Sequence, residues 1–280
     1  FLGIRLSFEE LIRFGSIAIP IILICIASVL ILVKLIANRL KISSKMSYLI
    51  AIGTSVCGAT AIVATAPVVQ ARKTEVAYAI ANITLFGILA MLLYPYFANY
   101  YFENDPILTG LFLGTSIHET SQVAAAGLIY DQQFNSPETL DVATVTKLIR
   151  NTFLVILIPL FALLYNRGQN HGSKYSLSGI FPIFVIGFIG MIFLRNIGDQ
   201  VFLSNGDSTK QWILFIDVIQ ILATTFLTMA MAAVGLSINL SELRDMGYKP
   251  FVVGFISAVT VGIVCIISIH ILNTYFNFFN

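Results

Sequence analysis

Eight apolar runs, at 16–37, 47–69, 75–98, 106–129, 145–165, 179–197, 211–236 and 249–272, are each long enough to cross a bilayer as a helix. Two of them carry the same interruption. Residues 53–66 read GTSVCGATAIVATA, and residues 114–127 read GTSIHETSQVAAAG. Gly-Thr-Ser and a β-branched residue recur, followed by small and polar residues. In the second copy Ser116, His118, Glu119, Thr120, Ser121 and Gln122 are nearly contiguous. On an unbroken helix they would wrap most of the circumference, and some would face lipid. A charged side chain at the centre of a spanning helix costs roughly 2.5–3.5 kcal/mol on insertion scales. A helix that breaks inside protein avoids that cost. Two broken, polar segments at membrane depth point to a transport site.

Composition agrees with this class. Of the residues, 58% are hydrophobic and 11% charged, where a soluble domain carries about 25% charged. The chain reads as an all-α polytopic membrane protein. No run alternates with period two, which argues against a β-barrel. Net charge is +2, and no basic stripe interleaves with aromatics, so nucleic acid is not an expected partner. Cys25, Cys57 and Cys265 stand in apolar or small-residue runs without metal-ligand spacing, so no metal and no cofactor is expected. The first residue is Phe1, and Phe1–Ile4 reads as the tail of an earlier helix. The expectation is one transmembrane transporter domain over 1–280, with further helices upstream. The polar stretches 130–144 and 198–210 read as loops. Tyr94, Tyr96, Tyr100, Tyr101 and Trp212 read as interface markers.

Loop charge gives a topology. Arg39, Lys41 and Lys45 lie before 47–69, and Arg72 and Lys73, with Glu75, lie after it. Glu103 and Asp105 lie before 106–129, and Asp131, Glu138 and Asp141 follow it. Basic loops therefore flank one broken segment and acidic loops the other. Either each segment dips in and returns, the first from inside and the second from outside, or both are interrupted crossing helices. A second echo, GIRLSFEELIRFG at 3–15 and GLSINLSELRDMG at 235–247, predicts inverted halves on opposite membrane faces.

The candidate site follows from the breaks. An opened helix leaves amides and carbonyls that only protein, water or solute can satisfy. Amides at a helix N-terminus attract anions, and exposed carbonyls attract cations. Thr54, Ser55, Cys57, Gly58 and Thr60 in the first copy, with Thr115, Ser116 and Gln122 in the second, are the candidate substrate-binding residues. Glu119 and His118 are the candidates for carrying a coupling proton. Lys147 and Arg150 stand one turn apart near the start of their span. They either hold an anion, neutralise Glu119 or snorkel to the interface. Asn82 is placed to bond across helices. His118 and Glu119 begin an H-E-x-x pattern, but Gln122 stands where a zinc helix needs its second His. No G-x-S-x-G elbow is present, so an intramembrane enzyme using His118 or Cys57 is the weaker alternative.

FLGIRLSFEEL, GTSVCGATAIVATAPVV, LFGILAMLLYP, GTSIHETSQVAAAG and MAMAAVGLSINLSEL, in this order, resemble the YeiH-type bacterial membrane family labelled sulfate exporters. The resemblance runs through essentially the whole chain. It implies an inverted-repeat transporter fold with two discontinuous or re-entrant helices near mid-membrane. The family's motif positions fall on Gly53, Ser55, Cys57, Gly58, Ser116, His118, Glu119 and Gln122. The resulting expectation is a multi-pass transporter of a bacterial inner membrane, and not an enzyme. Its passenger would be a small inorganic or organic oxyanion, sulfate or a sulfonate, coupled to H⁺ or Na⁺. A cation/proton exchanger is the alternative within transport. The lipid bilayer is its surroundings, and a homodimer is an assembly the sequence leaves open.

Overall fold

The computed structural model describes Ile4 and residues 8–168, 183–202, 206–236 and 247–276. All regular structure among them is helical: α1 (Phe8–Leu40), α2 (Ser44–Ser55), α3 (Ala59–Thr65), α4 (Lys73–Phe102), α5 (Pro106–Ser116), α6 (Thr120–Phe134), α7 (Pro137–Thr152), α8 (Leu154–Gly168), α9 (Ile183–Phe202), α10 (Gly206–Leu236) and α11 (Lys249–Phe276). Four stretches are long and apolar enough to span a membrane: Phe14–Leu40, Lys73–Phe102, Pro137–Tyr165 and Lys249–Thr274. Their outward faces carry exposed Ile31, Leu35, Leu93, Ile156 and Ile263, as lipid contact requires.

Local signals start the helices. The Ser43 hydroxyl accepts from the Met46 amide at 3.2 Å and opens α2. Asp105 accepts from the Ile107 and Leu108 amides, both at 2.9 Å, just before Pro106 opens α5. Asn135, with φ of 55°, ends α6 in the left-handed region.

The two broken segments are hairpins. Ser43, at the start of α2, donates to Glu75 at 3.1 Å, and Lys45 donates to the Gln70 carbonyl at 2.7 Å. The first pair of arms, α2 and α3, therefore starts and finishes beside the N-terminal end of α4. At the other end of α4, Tyr130 of α6 donates to Asn99 at 3.0 Å, and Phe134 lies 6.2 Å from Tyr96 between ring centroids. The α5–α6 pair thus starts and finishes beside the C-terminal end of α4. The basic loops gather at one end of the molecule and the acidic loops at the other.

Three long elements tie the ends together. α11 runs parallel to α4: Tyr78 bonds the Gly247 carbonyl at 2.8 Å, Asn82 bonds the Pro250 carbonyl at 2.8 Å, and the Phe86 ring packs on Phe251 at 4.9 Å. Asn82 bonds across helices as its mid-span position predicted. α7 and α8 run from the acidic end to the basic end, where Tyr48 packs on Phe161 at 5.4 Å. α7 lies in a groove between α5 and α6 that glycine makes deep enough. A Cβ on Gly110 would meet the Val142 Cβ at 2.5 Å, and one on Gly127 would meet the Leu140 Cα at 2.9 Å. Gly110 and Gly114 form a small-xxx-small face toward α7. α9 and α10 carry a smaller core of Ile4, Trp212 and Ile216, separate from the main one. Arg195 pairs with Asp199 at 2.6 Å, and Trp212 donates to Asp199 at 2.8 Å, so Arg195 is structural.

Several expected boundaries move. Residues 130–144 are not a loop: α6 runs to Phe134 and α7 starts at Pro137. Glu138 and Asp141 sit on the exposed side of α7 while Val142, Val145 and Leu148 are buried, so a polar stretch is an amphipathic helix. Residues 198–210 are likewise largely helical, with α9 continuing to Phe202 and α10 beginning at Gly206. The echo between 3–15 and 235–247 falls mostly outside the described residues.

Packing at the α5–α7 groove sets a prediction. Gly110→Ala forces Val142 aside, and overpacking of this kind costs about 1–3 kcal/mol. Its melting temperature in detergent falls below that of the parent protein. Gly190→Ala, where a Cβ meets nothing within 4 Å, leaves the melting temperature unchanged or higher.

Candidate functional site

The hairpin tips are where the helices stop. α2 ends at Ser55, and Val56, Cys57 and Gly58 carry the chain round to α3. Gly58 takes φ of 62°, a region that L side chains rarely adopt. α5 ends at Ser116, and Ile117, His118 and Glu119 are the turn, with Ile117 and Glu119 extended. Each tip leaves carbonyls at the end of an incoming helix and amides at the start of an outgoing one. These tips are buried, so water does not satisfy the groups.

Two fully buried cations on α7 satisfy the carbonyls. Arg150 Nε donates to the Ser55 carbonyl at 2.8 Å, Nη2 to the Thr54 carbonyl at 2.6 Å, and Nη1 to the Thr115 carbonyl. Lys147 Nζ donates to the Val56 and Ile117 carbonyls, both at 2.8 Å. Each cation therefore bonds both tips at once. The carbonyl end of a helix carries roughly half a negative charge, so the cations meet charge as well as hydrogen-bond demand. The spacing of 147 and 150 places both on one face of α7, one turn apart. Neither snorkels. Their apolar stretch runs from Pro137 to Tyr165, so they lie near its middle, fully buried, rather than at its mouth.

The amide side of the first tip is met by a carboxylate. Glu119 Oε1 accepts from the Ala59 amide at 2.5 Å. A Cβ on Gly58 would overlap that carboxylate, so glycine is required there for space as well as for φ. Lys147 is its nearest opposite charge. Gln122, at the first turn of α6, donates to the Thr84 carbonyl of α4 at 3.1 Å and packs on Gly87. Asn151 donates to Thr120 at 3.2 Å.

Most of the predicted site residues meet here. Thr54, Ser55, Cys57, Gly58, Thr115, Ser116, His118, Glu119, Gln122, Lys147 and Arg150 are all buried. Thr60 is not among them: it lies on the exposed face of α3 with Val63. The hydroxyls of Thr54, Ser55, Thr115 and Thr146, Nδ1 of His118 and Oε1 of Gln122 are buried without a hydrogen-bond partner among the described residues. Ser116 lies against Cys265, and Cys265 against Cys25, which joins α1 and α11 to the same centre. Sequence reasoning missed Ala59, whose amide binds Glu119, and Gly87, whose missing side chain seats Gln122. It also missed that the cations seek main-chain carbonyls rather than an acid. Among the described residues no cluster of His, Cys, Asp and Glu has metal-holding geometry.

The comparisons with known proteins follow this geometry. No solved structure matches the chain. UPF0324 membrane protein FN0533 of Fusobacterium nucleatum is 35% identical, over 96% of this chain and 80% of its own length. UPF0324 membrane protein SAG1125 of Streptococcus agalactiae is 34% identical, over 90% of this chain and 72% of its own. UPF0324 membrane protein SpyM3_0740 of Streptococcus pyogenes is 33% identical, over 94% and 76%. The family described as conserved hypothetical protein 698 matches residues 1–254. Motifs, apolar helices and relatives agree that this chain is a membrane protein belonging to that family, the same one its motifs resemble.

Proposed function

We propose that the chain is a secondary active transporter for a small oxyanion, sulfate or a sulfonate, with Glu119 carrying a coupling proton. Both hairpins then re-enter the membrane, α2–α3 from the basic and cytoplasmic side and α5–α6 from the opposite side. Their tips meet near mid-membrane. The membrane is the inner membrane of a bacterium.

One observation carries the choice of an anion: the fixed charge at the crossing. Lys147 and Arg150 are buried beside one carboxylate, Glu119. The half-helix ends contribute both signs and largely cancel. An excess of positive charge remains in a medium that penalises it, and an anionic passenger relieves it. Unpartnered hydroxyls at Thr54, Ser55 and Thr115, with His118 Nδ1, offer the short hydrogen bonds an oxyanion needs.

The cation/proton exchanger finds less support. It needs free carbonyls for Na⁺. Those of Thr54, Ser55, Val56, Thr115 and Ile117 already accept from Lys147 and Arg150. A proton on Glu119 also has a structural consequence, because a neutral carboxyl holds the Ala59 amide less strongly. Protonation then loosens one link between the tips as it adds to the positive excess, which couples proton and anion binding.

Three outcomes test the reading. In proteoliposomes, sulfate or sulfonate counterflow is pH-dependent, and Glu119→Gln removes the pH dependence while the protein still folds. An unchanged pH profile removes Glu119 from the coupling role. Lys147→Met leaves two carbonyls without a donor, each costing about 1–3 kcal/mol, so its melting temperature in detergent drops more than that of Lys147→Arg. Sodium leaves anion flux unaltered; a strict sodium requirement favours the exchanger.

A further inference from the structure

Beside the outer face of α3 lies a cavity of about 420 Å³, walled by Val63 and Pro67 on one side and by Val76, Ala77 and Ile80 of α4 on the other. We propose that this cavity is the approach path from the basic end to the crossing, and that it selects organic oxyanions with an apolar body over bare sulfate. The proposal rests on the transport reading and deepens it by naming the passenger's class.

Position is the first argument. Lys73, the first residue of α4, is exposed at the cavity's mouth and is the charged residue in its lining. Ile80 is buried two turns further in. Val63 stands one turn from Ala59, whose amide holds Glu119. Thr60 and Val63 share the exposed face of α3, and Pro67 is exposed in the turn just beyond its end, so exposed residues lead from the mouth toward the hairpin tip. Thr60 is the polar step at the inner end. This gives a place to the one predicted site residue that the crossing itself leaves out.

Chemistry is the second argument. Apart from Lys73 the described side chains of the walls are alkyl, with no side-chain donor to replace the water around sulfate, and stripping a doubly charged ion without replacement is costly. A sulfonate or carboxylate with a short alkyl or aryl body gains from the same walls. Its charged head meets Lys73 at the mouth and the tip hydroxyls at the end. Pockets of this size and character hold small organic ligands. A headgroup and acyl chain of an anionic lipid share that chemistry, so the test must separate a lipid from a free anion.

The test compares labelled butanesulfonate and sulfate in proteoliposomes. Butanesulfonate is expected to show a KM about ten-fold lower than sulfate. Lys73→Gln raises the butanesulfonate KM several-fold with little change in kcat. Val63→Trp fills the path and suppresses butanesulfonate flux. Should Val63→Trp fail to fold, Ala77→Cys is used: its thiol reacts with a charged methanethiosulfonate reagent above the parent background, and butanesulfonate slows that reaction. Equal or better handling of sulfate overturns the selectivity. A folded Val63→Trp protein with normal flux overturns the path. Protection of the Ala77→Cys thiol by phosphatidylglycerol but not by butanesulfonate makes the cavity a lipid groove and also overturns it. If butanesulfonate protects the thiol yet neither anion is transported, the binding path stands and the transport reading falls, so the two failures are distinguishable.

Discussion

A helix that ends in a protein interior leaves its last carbonyls without donors, and the rest of this structure is arranged around that fact. Two helices stop this way, at Ser55 and Ser116. A buried lysine or arginine is a comparable defect of opposite sign, costing several kcal/mol per ion when unpaired. Lys147 and Arg150 set the defects against each other through five hydrogen bonds. The solution imposes geometry. α7 must pass within reach of both tips, so it must sink between α5 and α6. Gly110, Gly114 and Gly127 make that approach sterically feasible.

The same bonds limit what the crossing can bind. Carbonyls that already accept from fixed cations have little left for a mobile one. The Ala59 amide is held by Glu119, a negative group the chain supplies itself. On the transport reading, a passenger anion draws on the hydroxyls left without a partner among the described residues and on the residual positive charge, or competes with Glu119. Competition of that kind links the anion to the protonation state of the carboxyl without needing any distant relay, because both act on one set of bonds.

Much of this was legible in the chain. Contiguous polar residues at 116–122 could not sit on one continuous lipid-exposed helix, and the break at Ile117–Glu119 follows. The basic and the acidic segments do lie apart: Lys45 meets Gln70 beside one end of α4, and Tyr130 meets Asn99 near the other. What stayed hidden has a common cause. The partners of Lys147 and Arg150 are main-chain atoms, which every residue carries, so no side-chain pattern announces them. Their depth was hidden too, because Glu138 and Asp141 made the first turns of α7 read as a loop. Thr60 stands apart from the tips for a physical reason. Its residue type matched Thr54, but α3 starts after a turn at Gly58 that resets which face looks inward.

The crossing also bears on where the molecule can move. An alternating-access transporter needs a joint that gives, and seven links now bind the tips to α7, to α4 and to each other. Opening between the tips would leave buried charged and polar groups without their partners, so it is a costly place to part. α9 and α10 differ: their core of Ile4, Trp212 and Ile216 is separate from the main cluster. On the transport reading, the crossing moves as one body against helices outside it, and the passenger travels with the charges that hold it. The exposed stripe of Thr60, Val63 and Pro67 then lies on the surface of that moving body rather than within it. A boundary there can open and close without breaking a single bond at the tips.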